Sequence, residues 1–128
     1  MRNLAYKERP KYLNLLKIRL PITGVVSIFH RISGILLILS IPVCVFLLDR
    51  SLQGDQGFTH VSMLLDSVPV KLILILGLWA VAHHFFAGMR FLLFDIDIGV
   101  EKSSARRAAW FVIVLDIAAL VGLVGWLL

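Results

Sequence analysis

Three apolar runs dominate this chain, and its polar residues collect between them. The first runs from about Ile22 to Leu48, with Ser27, His30 and Arg31 early and only Ser33, Gly34, Ser40 and Pro42 relieving the rest. The second runs from about Val70 to Phe94 and the third from about Ala108 to Leu128. Each is long enough for a helix to cross a hydrocarbon core about 30 Å thick. The pattern predicts an all-α membrane protein with three transmembrane helices in a single domain over residues 1–128. Pro21 and Pro69 mark span entrances, and Pro42 is a candidate kink that neighbouring groups in a bundle can satisfy. Residues 1–21 are basic and partly amphipathic, with Leu13, Leu16 and Leu20 able to share one face, which predicts a short interfacial segment. Asp49 to Ser67 reads as a polar, turn-rich loop around Gly54, Asp55, Gln56 and Gly57, with His60 a loop histidine. A short charged loop through Asp95, Asp97, Glu101, Lys102, Arg106 and Arg107 separates the second and third spans.

Composition sharpens the class. Of 128 residues, 59% are hydrophobic and 16% charged, too apolar for a soluble domain of this size. The net charge of +5 raises nucleic acid or anionic lipid as partners. Basic residues gather at span ends, so the expectation is membrane lipid and no nucleic acid. Arg2, Lys7, Arg9, Lys11, Lys17 and Arg19 precede the first span, and Arg90, Lys102, Arg106 and Arg107 surround the second loop. The first loop has Arg50, with Lys71 at its edge. The positive-inside rule then puts the N-terminus in the cytoplasm. The lone Cys44 reads as a small buried filler. Neither a secretory signal nor a transit peptide is legible at the N-terminus.

Ionisable residues inside the apolar runs are the candidates for function, because lipid offers them no water. Gly77, Ala80, His84 and Gly88 fall on one helical stripe. Small residues above and below an imidazole leave the flat space that an axially ligated tetrapyrrole needs. His83 and His84 are about 100° apart on a helix, so both cannot ligate one iron from the same side. The stripe selects His84 and leaves His83 as a polar neighbour. Gly24, Ser27, Arg31 and Gly34 share a stripe on the first span, with His30 beside it. At 1.5 Å per residue Arg31 lies roughly 13 Å and His84 roughly 15 Å from the cytoplasmic end, so the two meet at similar depth. An arginine there costs about 2.5–3.5 kcal/mol. A haem propionate would offset that cost, or a quinone carbonyl could accept from Ser27 or Arg31. Snorkelling of Arg31, and a plain interhelical hydrogen bond from His30, are the structural alternatives. Asp116, in the third span, receives no role.

Two motifs carry a resemblance over essentially the whole chain. Arg9-Pro10 and Pro21 are followed by Ser27-Ile28-Phe29-His30-Arg31-Ile32-Ser33-Gly34, and the second span holds His84, three residues, then Gly88-Met89-Arg90-Phe91-Leu92-Leu93-Phe94-Asp95. Together they resemble the signatures of the cytochrome b membrane-anchor subunits of succinate dehydrogenase, respiratory complex II. The resemblance implies a haem b-containing anchor that docks the flavoprotein and iron–sulfur subunits at the cytoplasmic face of a bacterial inner membrane. It also implies part of a ubiquinone-reduction site serving electron transport and the tricarboxylic acid cycle. By motif position His84 is similar to the axial haem ligand, with the other axial histidine supplied by a second small anchor subunit. Ser27 and Arg31 match quinone-site positions, and His30 and Arg31 match positions near the haem propionates. One departure is Asp97, where the family has a small residue, which puts the turn after the second span in question. The chain has no flavin-binding glycine fingerprint and no cysteine cluster, so it holds no complete redox catalyst of its own. The alternatives are a non-redox scaffold or transport subunit, and the related fumarate reductase anchor.

Overall fold

The structure is a computed structural model that describes residues 19–128. Most of the segment expected at the interface, residues 1–18, therefore lies outside the described residues. All regular structure among them is helical: α1 (Ile22–Ser51), α2 (Asp55–Asp66), α3 (Val68–Asp95) and α4 (Lys102–Leu127). The first, third and fourth are long and apolar enough to cross a membrane, matching the three expected spans. Each outlasts its apolar run. α4 starts six residues before Ala108 because Lys102-Ser103-Ser104-Ala105-Arg106-Arg107 continues the helix in polar form.

α3 packs against both α1 and α4, and α1 also touches α4, so the spans form a three-helix bundle. The bundle is apolar outside, with Ile38, Ile73 and Val121 each about two-thirds exposed. Its buried residues include Ser33, His83, Arg90 and Asp116 alongside small apolar ones such as Ala80, Ala87 and Ala109. This inversion is expected where lipid is the solvent. Apolar side chains gain nothing by leaving lipid, so small residues and polar contacts hold the helices together. The tightest apolar cluster is Val26, Ala87, Ala109 and Val112, where the start of α1, the end of α3 and the start of α4 converge. α1 runs unbroken through Pro42. Cys44 is exposed rather than buried, on the outer face of α1, so its expected role as a core filler is wrong.

The main correction concerns the first loop. Asp55–Asp66 is a twelve-residue helix, and His60 sits exposed on it rather than in a loop. The turn-forming Gly54–Gly57 stretch masked a helical period: Gly57, Val61 and Leu65 fall at steps of four and turn inward. Gly57 is needed for that packing, since a Cβ there would collide with the backbone carbonyl of Arg50. Beyond α2, Lys71 reaches back to Asp66 at 2.7 Å and, by hydrogen bond and charge, holds that carboxyl below its ordinary pKa.

The turn in question after α3 has a definite form. Ile98 N–H bonds the Leu93 carbonyl at 2.9 Å and Asp97 N–H bonds the Phe94 carbonyl at 3.0 Å, the paired bonds of a Schellman cap. Its left-handed position is Asp97, with φ 60°. Glycine is the usual residue there. Aspartate is among the few others that tolerate it.

Replacing Gly57 with alanine should dislodge α2 from the end of α1. Thermal unfolding should register a loss of about 1–3 kcal/mol, with faster proteolysis between Ser51 and Asp66; an unchanged midpoint would count against the packing described.

Candidate functional site

The candidate residues gather where α1 and α3 cross. The His30 and His84 rings stack with centroids 4.1 Å apart and planes 12° apart. Each ring lies over a glycine of the opposite helix. A Cβ on Gly34 would stand 3.1 Å from His84 Cε1, and one on Gly88 would stand 3.5 Å from His30 Nε2. The glycines of both motifs thus serve the facing helix's imidazole. Ala80 is fully buried on the α3 stripe, and Gly77 has open space around it. The edge of Phe91 closes over His30, with centroids 5.1 Å apart.

Hydrogen bonding decides which nitrogen of His84 is free. Ser33, fully buried, donates its one proton to the His30 carbonyl at 2.9 Å. His84 Nδ1 lies 3.2 Å from Ser33 Oγ and 3.2 Å from the same carbonyl. The carbonyl is an acceptor, and the serine has already given its proton away. Nδ1 therefore carries the hydrogen, and Nε2 carries the lone pair. A histidine oriented through Nδ1–H to a carbonyl is the usual arrangement of a metal-ligating imidazole. Among the described residues no three His, Cys, Asp or Glu side chains gather as a metal site. A metal on His84 would need its remaining ligands from elsewhere, as a porphyrin and a second axial ligand would supply them. The residues present fit a haem in that respect.

Ser27 is half-buried on α1, and Arg31 is exposed one turn further along, next to His30. The structure brings His30 and His84 together. It records no hydrogen bond or ion pair joining Ser27 or Arg31 to them among the described residues. Ser33, which orients His84, carries no site role in the sequence reading. Its place three residues after His30 gives it reach to that carbonyl, but nothing along the chain marks its face as the buried one.

His83, left as a polar neighbour, is fully buried and held by α4 and α1. Its Nδ1–H donates to Asp116 Oδ2 at 2.6 Å, and its Nε2 faces the Val26 carbonyl at 3.4 Å. Trp79 stacks against it at 5.5 Å, and the edge of Phe29 meets it at 6.0 Å. This partner accounts for Asp116, although its other oxygen, Oδ1, is buried without a hydrogen bond. Arg90 is also buried. Its guanidinium lies 4.5 Å from the Phe94 ring centre, with Nη2 3.5 Å from the Ala105 carbonyl, so it fastens the end of α3 to the start of α4.

The fold and site thus define a three-span helical membrane protein with an interlocked imidazole pair between two spans. Residues 5–123 match the family described as succinate dehydrogenase/fumarate reductase transmembrane subunit. The chain is 35% identical to the succinate dehydrogenase cytochrome b556 subunit of Coxiella burnetii, over 89% of this chain and 92% of that one. It is 28% identical to the cytochrome b556 subunit of Paracoccus denitrificans over 80% and 78% of the two chains. It is 33% identical to the succinate dehydrogenase hydrophobic membrane anchor subunit of Halobacterium salinarum over 58% of each. The chain belongs to this family, as a cytochrome b membrane-anchor subunit of succinate dehydrogenase.

The two glycines should respond differently to a methyl group. Gly34→Ala forces the His84 ring to give way and should cost about 1 kcal/mol or more in thermal unfolding. Gly88→Ala meets only an ordinary contact and should cost less; the reverse order would contradict the interlock.

Proposed function

We propose that this subunit holds haem b through His84 and forms part of the ubiquinone-reduction site of succinate:ubiquinone oxidoreductase. The observation that carries the reading is the placement of His84 Nδ1 3.2 Å from the His30 carbonyl and from a serine that donates elsewhere. The Nδ1–H is engaged by the His30 carbonyl and Ser33, which leaves Nε2 to bind iron. The names of its relatives as cytochrome b556 subunits support a b-type haem. When bound, the haem supplies a one-electron carrier beside the quinone. A histidine of a second small anchor subunit would complete the ligation of the iron, so that the haem would be shared between two chains. The iron–sulfur and flavoprotein subunits dock on the cytoplasmic side. The Lys and Arg distribution orients the chain with its N-terminus there, in a bacterial inner membrane.

The chain's own residues position and stabilise. Arg31, exposed on α1 beside His30, offers a guanidinium to a propionate or to a quinone oxygen. Ser27, one turn earlier, offers a hydroxyl to the same oxygen. Together they orient the quinone and stabilise negative charge as it is reduced. His30, stacked on His84, would stand near the propionates.

A dithionite-reduced minus oxidised spectrum of the purified complex tests the haem. Wild type should show a b-type signal, and His84→Leu should lose or shift it; an unchanged signal would move the ligand elsewhere, and no signal in wild type would return the chain to a scaffold. Arg31→Leu should depress quinone reduction at least tenfold more than succinate oxidation with a soluble acceptor. Equal losses in the two assays would remove Arg31 from the quinone site.

A further inference from the structure

We propose that the buried His83–Asp116 pair is a positioning device that sets the rotation of α3 and so aims His84 at the haem. The inference rests on His84 being the haem ligand. Successive residues on a helix point about 100° apart, so fixing the direction of one fixes the other. His83 is held by Asp116 of α4 at 2.6 Å, and the Val26 carbonyl of α1 lies 3.4 Å from its other ring nitrogen. His84 meets α1 through two 3.2 Å approaches to Nδ1 and a ring stack on His30, both of them contacts to α1 alone. Side chains lie about 5–6 Å from the helix axis, so a turn of ~20° about α3 moves a ring nitrogen by about 2 Å. That movement breaks the Nδ1–H bond to the His30 carbonyl and redirects Nε2.

Among the described residues, the other constraint on the rotation of α3 is the His30–His84 stack, which ties α3 to α1 alone, whereas the pair ties α3 to α4. α3 is apolar almost all round, and apolar surface in lipid has no preferred rotation. Arg90 acts at the far end of α3, through ring faces and a 3.5 Å contact. Asp116 directs one oxygen at His83, while Oδ1 is buried without a partner. Turning α3 away would leave a carboxylate and an imidazole both unpaired within the membrane, at a high cost. The pair thus resists rotation in either direction.

The test compares Asp116→Leu and Asp116→Asn in the complete, haem-loaded complex. The readouts are the low-spin ferric haem g values and the haem midpoint potential, with haem content measured alongside. Asp116→Leu should keep haem, since His84 is still present, but shift the largest g value and raise the midpoint potential. The rise follows from loss of the Nδ1–H bond, which makes His84 a poorer electron donor to iron. Asp116→Asn keeps an oxygen for His83 and should restore both readouts most of the way to wild type. If Asp116→Leu does not assemble, His83→Leu with Asp116→Leu removes both buried polar groups together and is read in the same way. Wild-type g values and potential in Asp116→Leu, or in the double variant, would overturn the proposal and leave the pair as packing alone. Asp116→Asn shifted as far as Asp116→Leu would also overturn it. A wild-type complex without low-spin haem, or His84→Leu with an unchanged spectrum, would instead overturn the ligand assignment, so the two failures are distinguishable.

Discussion

The contact between His83 and Asp116 organises the bundle because lipid gives the other surfaces so little to choose between. The outward faces of α1, α3 and α4 are apolar and equally content against hydrocarbon at many rotations. A carboxylate and an imidazole 2.6 Å apart inside the bundle permit only one. Their attraction is measured against two uncompensated polar groups in a membrane, so separating them costs more than any single apolar contact nearby.

The imidazole interlock of α1 and α3 then fits within that arrangement. Gly34 brings the two helix surfaces close enough for His30 and His84 to stack by making room for the His84 ring, while Gly88 lies in ordinary contact range of His30. Ser33 adds the chemical detail: by spending its proton on the His30 carbonyl it leaves His84 Nδ1 only acceptors to face. A packing requirement and a tautomer choice are met by the same turn of α1.

The ends of the spans follow more local rules. Asp97 adopts the left-handed conformation that the Schellman cap after α3 demands, which answers the question its side chain raised about that turn. α2 shows the opposite case. Its glycines look like turn signals, yet Gly57 is there for close approach to the end of α1. Composition does not separate a glycine required by a backbone angle from one required by a neighbour.

Three spans, their order, and the similar depth of Arg31 and His84 were legible along the chain; that His30 is the residue meeting His84 was not. They depend on run length and a fixed rise per residue, which are properties of one helix in lipid. The family is legible as well, because two motifs at a set separation are a one-dimensional pattern. The partner of Asp116, the inward face of α2, the outward face of Cys44 and the role of Ser33 were not. Each depends on how one helix is rotated against another, and helices this uniformly apolar carry almost no signal of their rotation. That information arises only when side chains from three helices meet, and in this protein it resides in the few polar groups that have no water to turn to.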